Sequence, residues 1–102
     1  MKLMTKELEK RFKEVGSQIN ADDPIVIAKY FYPGGIGSWY AVSYNPKDGS
    51  FFGLVTILDS EVGFFSLKEL EDFVGWSKLG IERDLHWKEV PLSHVKKIID
   101  LT

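Results

Sequence analysis

The segment Glu82-Arg83-Asp84-Leu85-His86 sets two carboxylates and an imidazole at alternate positions. On an extended strand, Glu82, Asp84 and His86 would line one face at ~7 Å intervals. Carboxylates beside an imidazole could hold a divalent metal or move a proton. His94 would supply another ligand if the C-terminal segment folded back. The polar face of an edge strand gives the same pattern, because its charges discourage sheet-to-sheet pairing. The two histidines also lack a short metal-ligand spacing.

A second chemical signal is the run Tyr30-Phe31-Tyr32-Pro33-Gly34-Gly35-Ile36-Gly37-Ser38-Trp39-Tyr40. A phosphate-cradling loop needs a helix N-terminus behind its glycines. Here the glycines lead into Trp39–Tyr44, which reads as a strand, and the lysine and Ser/Thr pair of a nucleotide loop is absent. The glycines therefore read as a hairpin connection or as a mobile binding loop. The rings Tyr30, Tyr32, Trp39, Tyr40 and Tyr44 can pack a sheet, anchor a protein interface or stack bases. Only Lys29 and Lys47 lie near them in sequence, too few for a nucleic-acid groove. None of the serines sits in a strand-to-helix nucleophile elbow.

These residues need elements to hold them. Thr5 is a helix cap, and Leu8, Phe12 and Val15 form one apolar face that ends at Gly16, leaving Ile19 in a linker. Ile25–Phe31 and Trp39–Tyr44 read as strands. In the second, Trp39, Ala41 and Ser43 face one way and Tyr40, Val42 and Tyr44 the other. Asn45-Pro46-Lys47-Asp48-Gly49 is a bulged hairpin turn. Ser50–Leu58 is apolar on both faces and should be a covered central strand. Asp59–Gly63 reads as a turn, with a short strand beginning at Gly63-Phe64-Phe65. Ser66 through Glu69 matches a capping box opening a helix that stops near Gly75. A loop at Trp76–Gly80, a strand at Ile81–Lys88 ended by Pro91, and a short helix capped by Ser93 complete the chain.

This order implies an α+β class over a single domain, residues 1–102. Its core is one antiparallel meander of four to five strands, with the N-terminal, middle and C-terminal helices packed on one face.

A chain of 102 residues with net charge −2 carries no basic field to attract nucleic acid. Charge is uneven. Asp59, Glu61, Glu69, Glu71, Asp72, Glu82 and Asp84 outnumber Lys68, Lys78 and Arg83 across residues 59–84. That acidic middle suits a basic protein surface, or is a solvated outer face. The absence of cysteine excludes disulfides and thiolate chemistry. The charged start lacks the apolar segment of a signal peptide, and no apolar run reaches membrane-helix length. The expected location is the cytoplasm, with no membrane partner.

Together the residues resemble the family catalogued as domain of unknown function 2958. The carriers are Thr5-Lys6-Glu7-Leu8, Trp39-Tyr40 with Tyr44 and Pro46, Phe51-Phe52-Gly53-Leu54-Val55, and Gly63-Phe64-Phe65-Ser66-Leu67 with Glu69-Leu70. Ile81-Glu82-Arg83-Asp84-Leu85-His86-Trp87 and Pro91-Leu92-Ser93 complete them. The resemblance implies no catalytic residue. It implies an accessory role in mobile-element biology, since similar proteins occur on plasmids, integrative elements and phages. At Ser43 and Asn45 the chain departs from a pattern that is often acidic, so a site built on those acids would be incomplete here. Arg83, pointing away from Glu82 and Asp84, needs an acidic partner, as a register-fixing ion pair or as a ligand clamp.

The leading expectation is a non-enzymatic interaction module without a cofactor. It would meet a protein partner, such as a host or element nucleic-acid enzyme or a defence nuclease. Contact would come through the aromatic hairpin (Tyr32, Trp39, Tyr40, Tyr44) or through the acidic residues Glu61, Glu69, Glu71 and Asp72. Self-association is compatible with it. The alternatives are a small metal-dependent hydrolase using Glu82, Asp84 and His86, and a single-strand nucleic-acid binding module.

Overall fold

The computed structural model describes residues 1–74 and 78–101. Helix α1 spans Lys6–Val15. Its cap forms as the sequence requires: the Leu8 N–H donates to the Thr5 hydroxyl at 3.1 Å. Gly16, at φ 76°, ends it by donating its N–H to the Phe12 carbonyl.

The main sheet has five antiparallel strands: β2 (Ala28–Phe31), β3 (Ser38–Asn45), β4 (Ser50–Thr56), β5 (Ser60–Ser66) and β6 (Glu82–Arg83). Their order is β5-β4-β3-β2-β6. A separate two-stranded ladder pairs β1 (Ile25–Val26) with β7 (Val90–Pro91). Helices α2 (Leu67–Asp72) and α3 (Leu92–Leu101) complete the chain.

The meander comes from local turn chemistry. Between β3 and β4, Gly49 takes φ 71° and donates its N–H to the Asn45 carbonyl at 2.8 Å. Asn45 and Asp48 side chains accept from Lys47 and Ser50 N–H groups. Between β2 and β3 the glycine run is a hairpin connection: the Tyr32 N–H donates to the Gly37 carbonyl at 3.0 Å. The Ser66 hydroxyl accepts from the Glu69 N–H at 3.0 Å and opens α2. The expected helix end at Gly75 and the loop residues Trp76 and Ser77 lie outside the described residues.

Four expectations about the strands need correction. The strand over Ile25–Phe31 is interrupted at Ile27, where the chain passes from pairing with β7 to pairing with β3. The register of β3 against β4 shifts between Ala41 and Ser43, a bulge that turns Tyr44 onto the face of Trp39 and Ala41. Asp59–Gly63 is not a turn. Strand β4 stops at Thr56, Ile57–Asp59 make the bend, and pairing with β4 draws Ser60–Ser66 into a full strand despite Glu61 and Gly63. Finally, Ile81–Lys88 is a strand only at Glu82–Arg83.

The sheet is covered on both faces, so the three helices do not share one side. On one face Phe12 of α1 and Leu70 of α2 pack with Tyr30, Trp39, Ala41, Phe51 and Phe65. On the other, Leu92 and Val95 of α3 pack with Val26, Tyr40, Val42 and Leu54. Strands β3 and β4 carry apolar residues at successive positions, and a second helical layer is what buries the second set. Phe51 sits at the centre of the first face, with ring centroids 4.7 Å from Tyr44 and 5.1 Å from Phe65.

The layers are tied by polar contacts over long sequence distance. The Asp23 carboxylate accepts from the Ser93 N–H at 2.9 Å and the Ser93 hydroxyl at 2.6 Å. Ser93 is therefore inside α3, and the group that satisfies its N–H comes from Asp23, not from Ser93 as expected. Arg11 of α1 makes a bidentate pair with Glu89, both bonds 2.8 Å.

Candidate functional site

Glu82, Asp84 and His86 do not lie along one strand, because β6 ends at Arg83. The alternation ends because the Asp84 carboxylate accepts from the His86 N–H at 2.9 Å, an Asx turn that competes with the ladder. The Trp87 N–H then donates to the Asp84 carbonyl at 3.3 Å. Among the described residues no three His, Cys, Asp or Glu side chains gather where they could hold a metal ion. Arg83 donates from Nε to the Lys2 carbonyl at 3.4 Å, and among the described residues no carboxylate lies at ion-pair distance from it. The chain's first residues thus cover β6, whose two residues make a short, blunted edge.

The aromatic hairpin is largely interior. Tyr32, Trp39 and Tyr40 are 6%, 7% and 8% exposed. Tyr32 and Trp39 meet the Phe73 ring edge-on, and Tyr40 packs against Trp87 on the opposite face. Tyr44 is half-buried; partial burial raises its phenol, and Glu9, Glu71 and Asp48 push it the same way. Tyr30 is fully buried and donates its hydroxyl to the Leu3 carbonyl at 2.7 Å, so burial drives its ionisation far above the usual range. Ser43 accepts from the Gln18 N–H at 2.7 Å, a contact across 25 residues, and Asn45 accepts from the Lys47 N–H within its own turn. Both border an open groove of about 840 Å³ between α1 and the β3–β4 hairpin, whose lining reaches Phe52 and Phe64.

The acidic residues fall differently. Glu61 lies on β5, opposite Val55, and so on the face covered by α1 and α2. Glu69, Glu71 and Asp72 stand exposed on α2, which packs beside β5 at the same end of the sheet. Asp72 pairs with Lys68 at 2.8 Å, raising the lysine; both side chains are well exposed. Among the described residues no cation lies at ion-pair distance from Glu61, Glu69 or Glu71.

On the other face of the same strand, Val62 is 50% and Phe64 67% exposed. The Phe64 ring rests against Phe52 at 5.0 Å, outside the cover of α3. Leu58, at the bend leading into β5, is 92% exposed. Seven residues long and at one end of the strand order, β5 leaves the outer side of its backbone unpaired among the described residues. It has no proline or lysine and a single carboxylate to discourage a further strand. Sequence reasoning placed Val62 in a turn, because Glu61 and Gly63 read as turn residues, and took Phe64 as the start of a short strand without seeing that the two share an exposed face. The Val62-x-Phe64 alternation was the signal available.

Among the described residues no helix is long and apolar enough to cross a membrane. No curated protein and no solved structure matches the chain. One family model does, over residues 3–100, nearly the whole length. It is described as Protein of unknown function (DUF2958).

Proposed function

The chain belongs to the DUF2958 family, and from its own surface we propose that it is an interaction module that adds a partner's strand to the edge of β5. The observation that carries this reading is the two-sided character of that edge. Its open backbone would supply main-chain hydrogen bonds. An incoming strand would meet Val62 and Phe64 on one face, and Glu61 with the α2 carboxylates on the other. The complementary segment alternates apolar and basic residues, because side chains of a strand point to opposite faces in turn.

A nucleic-acid enzyme, of host or mobile element, carries basic surface of that kind, and a defence nuclease is one such partner. The acidic edge would compete there with nucleic acid. The same charge opposes self-pairing, since a second copy would bring Glu61 and α2 against their equivalents.

The test uses short synthetic peptides alternating lysine with valine, or glutamate with valine. Nuclear magnetic resonance should show the lysine peptide shifting amides of Ser60–Ser66, with little effect of the glutamate peptide. Phe64→Lys should weaken binding about tenfold, roughly 1.4 kcal/mol, without lowering Tm. Equal binding of both peptides, or shifts centred away from β5, would overturn the reading. So would a stable dimer abolished by Phe64→Lys, which would assign the edge to self-association.

A further inference from the structure

On the face away from α1, a cleft of about 350 Å³ opens between α3 and the loop after β6, lined by Lys29, Tyr40, His86, Trp87, Lys88 and His94 among others. Both histidines of the chain meet there although the sequence separates them. Among the described residues no carboxylate side chain lines the cleft. Lys29 is half-buried, its ammonium 5.5 Å from the centroid of the Tyr40 ring. Among the described residues it has no carboxylate at ion-pair distance. A cation removed from part of its water, with only a ring face as partner, favours an arriving anion.

The rest of the cleft is apolar and preformed. Trp87 donates its indole N–H to the Val26 carbonyl at 3.0 Å, which fixes the ring and leaves it no polar function in the cleft. Its centroid lies 5.9 Å from that of Tyr40, the planes inclined at 58°. Val95 and Ile99 of α3 form the facing wall. The volume is near the lower end of small-molecule sites, about 300–1,000 Å³.

We infer that this cleft binds a small organic anion. Its flat apolar body rests between the Tyr40–Trp87 floor and α3, and its anionic group meets Lys29 and Lys88, with imidazole N–H donors of His86 and His94 at the rim. The inference is independent of the β5 edge, which is built by different strands.

The probes are naphthoate, its neutral amide and naphthylmethylammonium, followed by nuclear magnetic resonance of the intact chain. Naphthoate should shift the Trp87 indole, the two imidazoles and the amides of Val95–Ile99. It should bind about tenfold more tightly than the amide, with the cation weakest. Lys29→Met, which keeps an apolar stem, should erase the preference for the anion. Should that variant fail to fold, Lys88→Met on the exposed loop should reduce it. Equal binding of the three probes, no shift with millimolar naphthoate, or an anion preference that survives lysine replacement would overturn the inference.

Discussion

Gln18 shows how much one side chain can fix. Its amide nitrogen donates to the Ile25 and Val42 carbonyls at 2.8 and 2.7 Å, and its amide oxygen accepts from the Ile25 N–H at 2.8 Å. The side chain stands in for a missing strand residue, satisfying backbone groups exposed where β1 parts from β2 and where β3 bulges. Gln18→Ala leaves those groups without partners and should cost about 2 kcal/mol, read as a lower denaturant midpoint at constant slope. Gly53 is constrained by space rather than by hydrogen bonding. A Cβ there would run into the Tyr40 carbonyl group, with the Ala41 Cα only 3.1 Å away. That is backbone, which cannot swing aside, at the point where the bulge begins. Gly53→Ala should cost at least about 3 kcal/mol, seen as a large drop in Tm, whereas Gly63→Ala, with open space around it, should be tolerated.

At the scale of elements, the legible features were those whose chemistry is local. Thr5 with Gly16, the Asn45–Gly49 turn and the Ser66–Glu69 cap each satisfy backbone groups within a few residues, so their types and spacing suffice. The bulge in β3, the break at Ile27 and the length of β5 depend on a neighbouring strand that sequence order does not display. Trp39 and Tyr40 could be recognised as important rings, but only the second helical layer decides that both are interior. The placement of α3 belongs to this class, and it rests partly on Asp23. Hydrogen bonds from the Ser93 hydroxyl and N–H hold the Asp23 carboxyl below its usual range. A lowered folded-state value means the contact contributes above the unfolded pKa, about 3.9, and is lost as pH falls through the folded one. Asp23→Ala should therefore lower Tm at neutral pH, and its gap from the parent protein should narrow as pH falls below the unfolded value and through the lowered folded one. A gap constant across that range would mean the charge of Asp23 contributes nothing.

For the molecule as a whole, the strand order β5-β4-β3-β2-β6 separates two unlike surfaces. The acidic, apolar edge lies at β5, while the cationic cleft is built from Lys29 of β2, Tyr40 of β3, the loop after β6 and α3. Three inter-strand steps put roughly 14 Å between β5 and β2, the strand that carries Lys29. Screening extends about 8 Å at physiological ionic strength, so charge at one end has little influence on the other. Binding of the basic peptide and of naphthoate should then be independent. In a cycle combining Phe64→Lys with Lys29→Met, the two losses should add within about 0.5 kcal/mol. At low salt the Debye length approaches about 30 Å, and a residual coupling should emerge that salt removes. Coupling that persisted at high salt could not be electrostatic. It would have to travel through β3 and β4, whose side chains contact both helical layers, and would show the sheet itself shifting between arrangements.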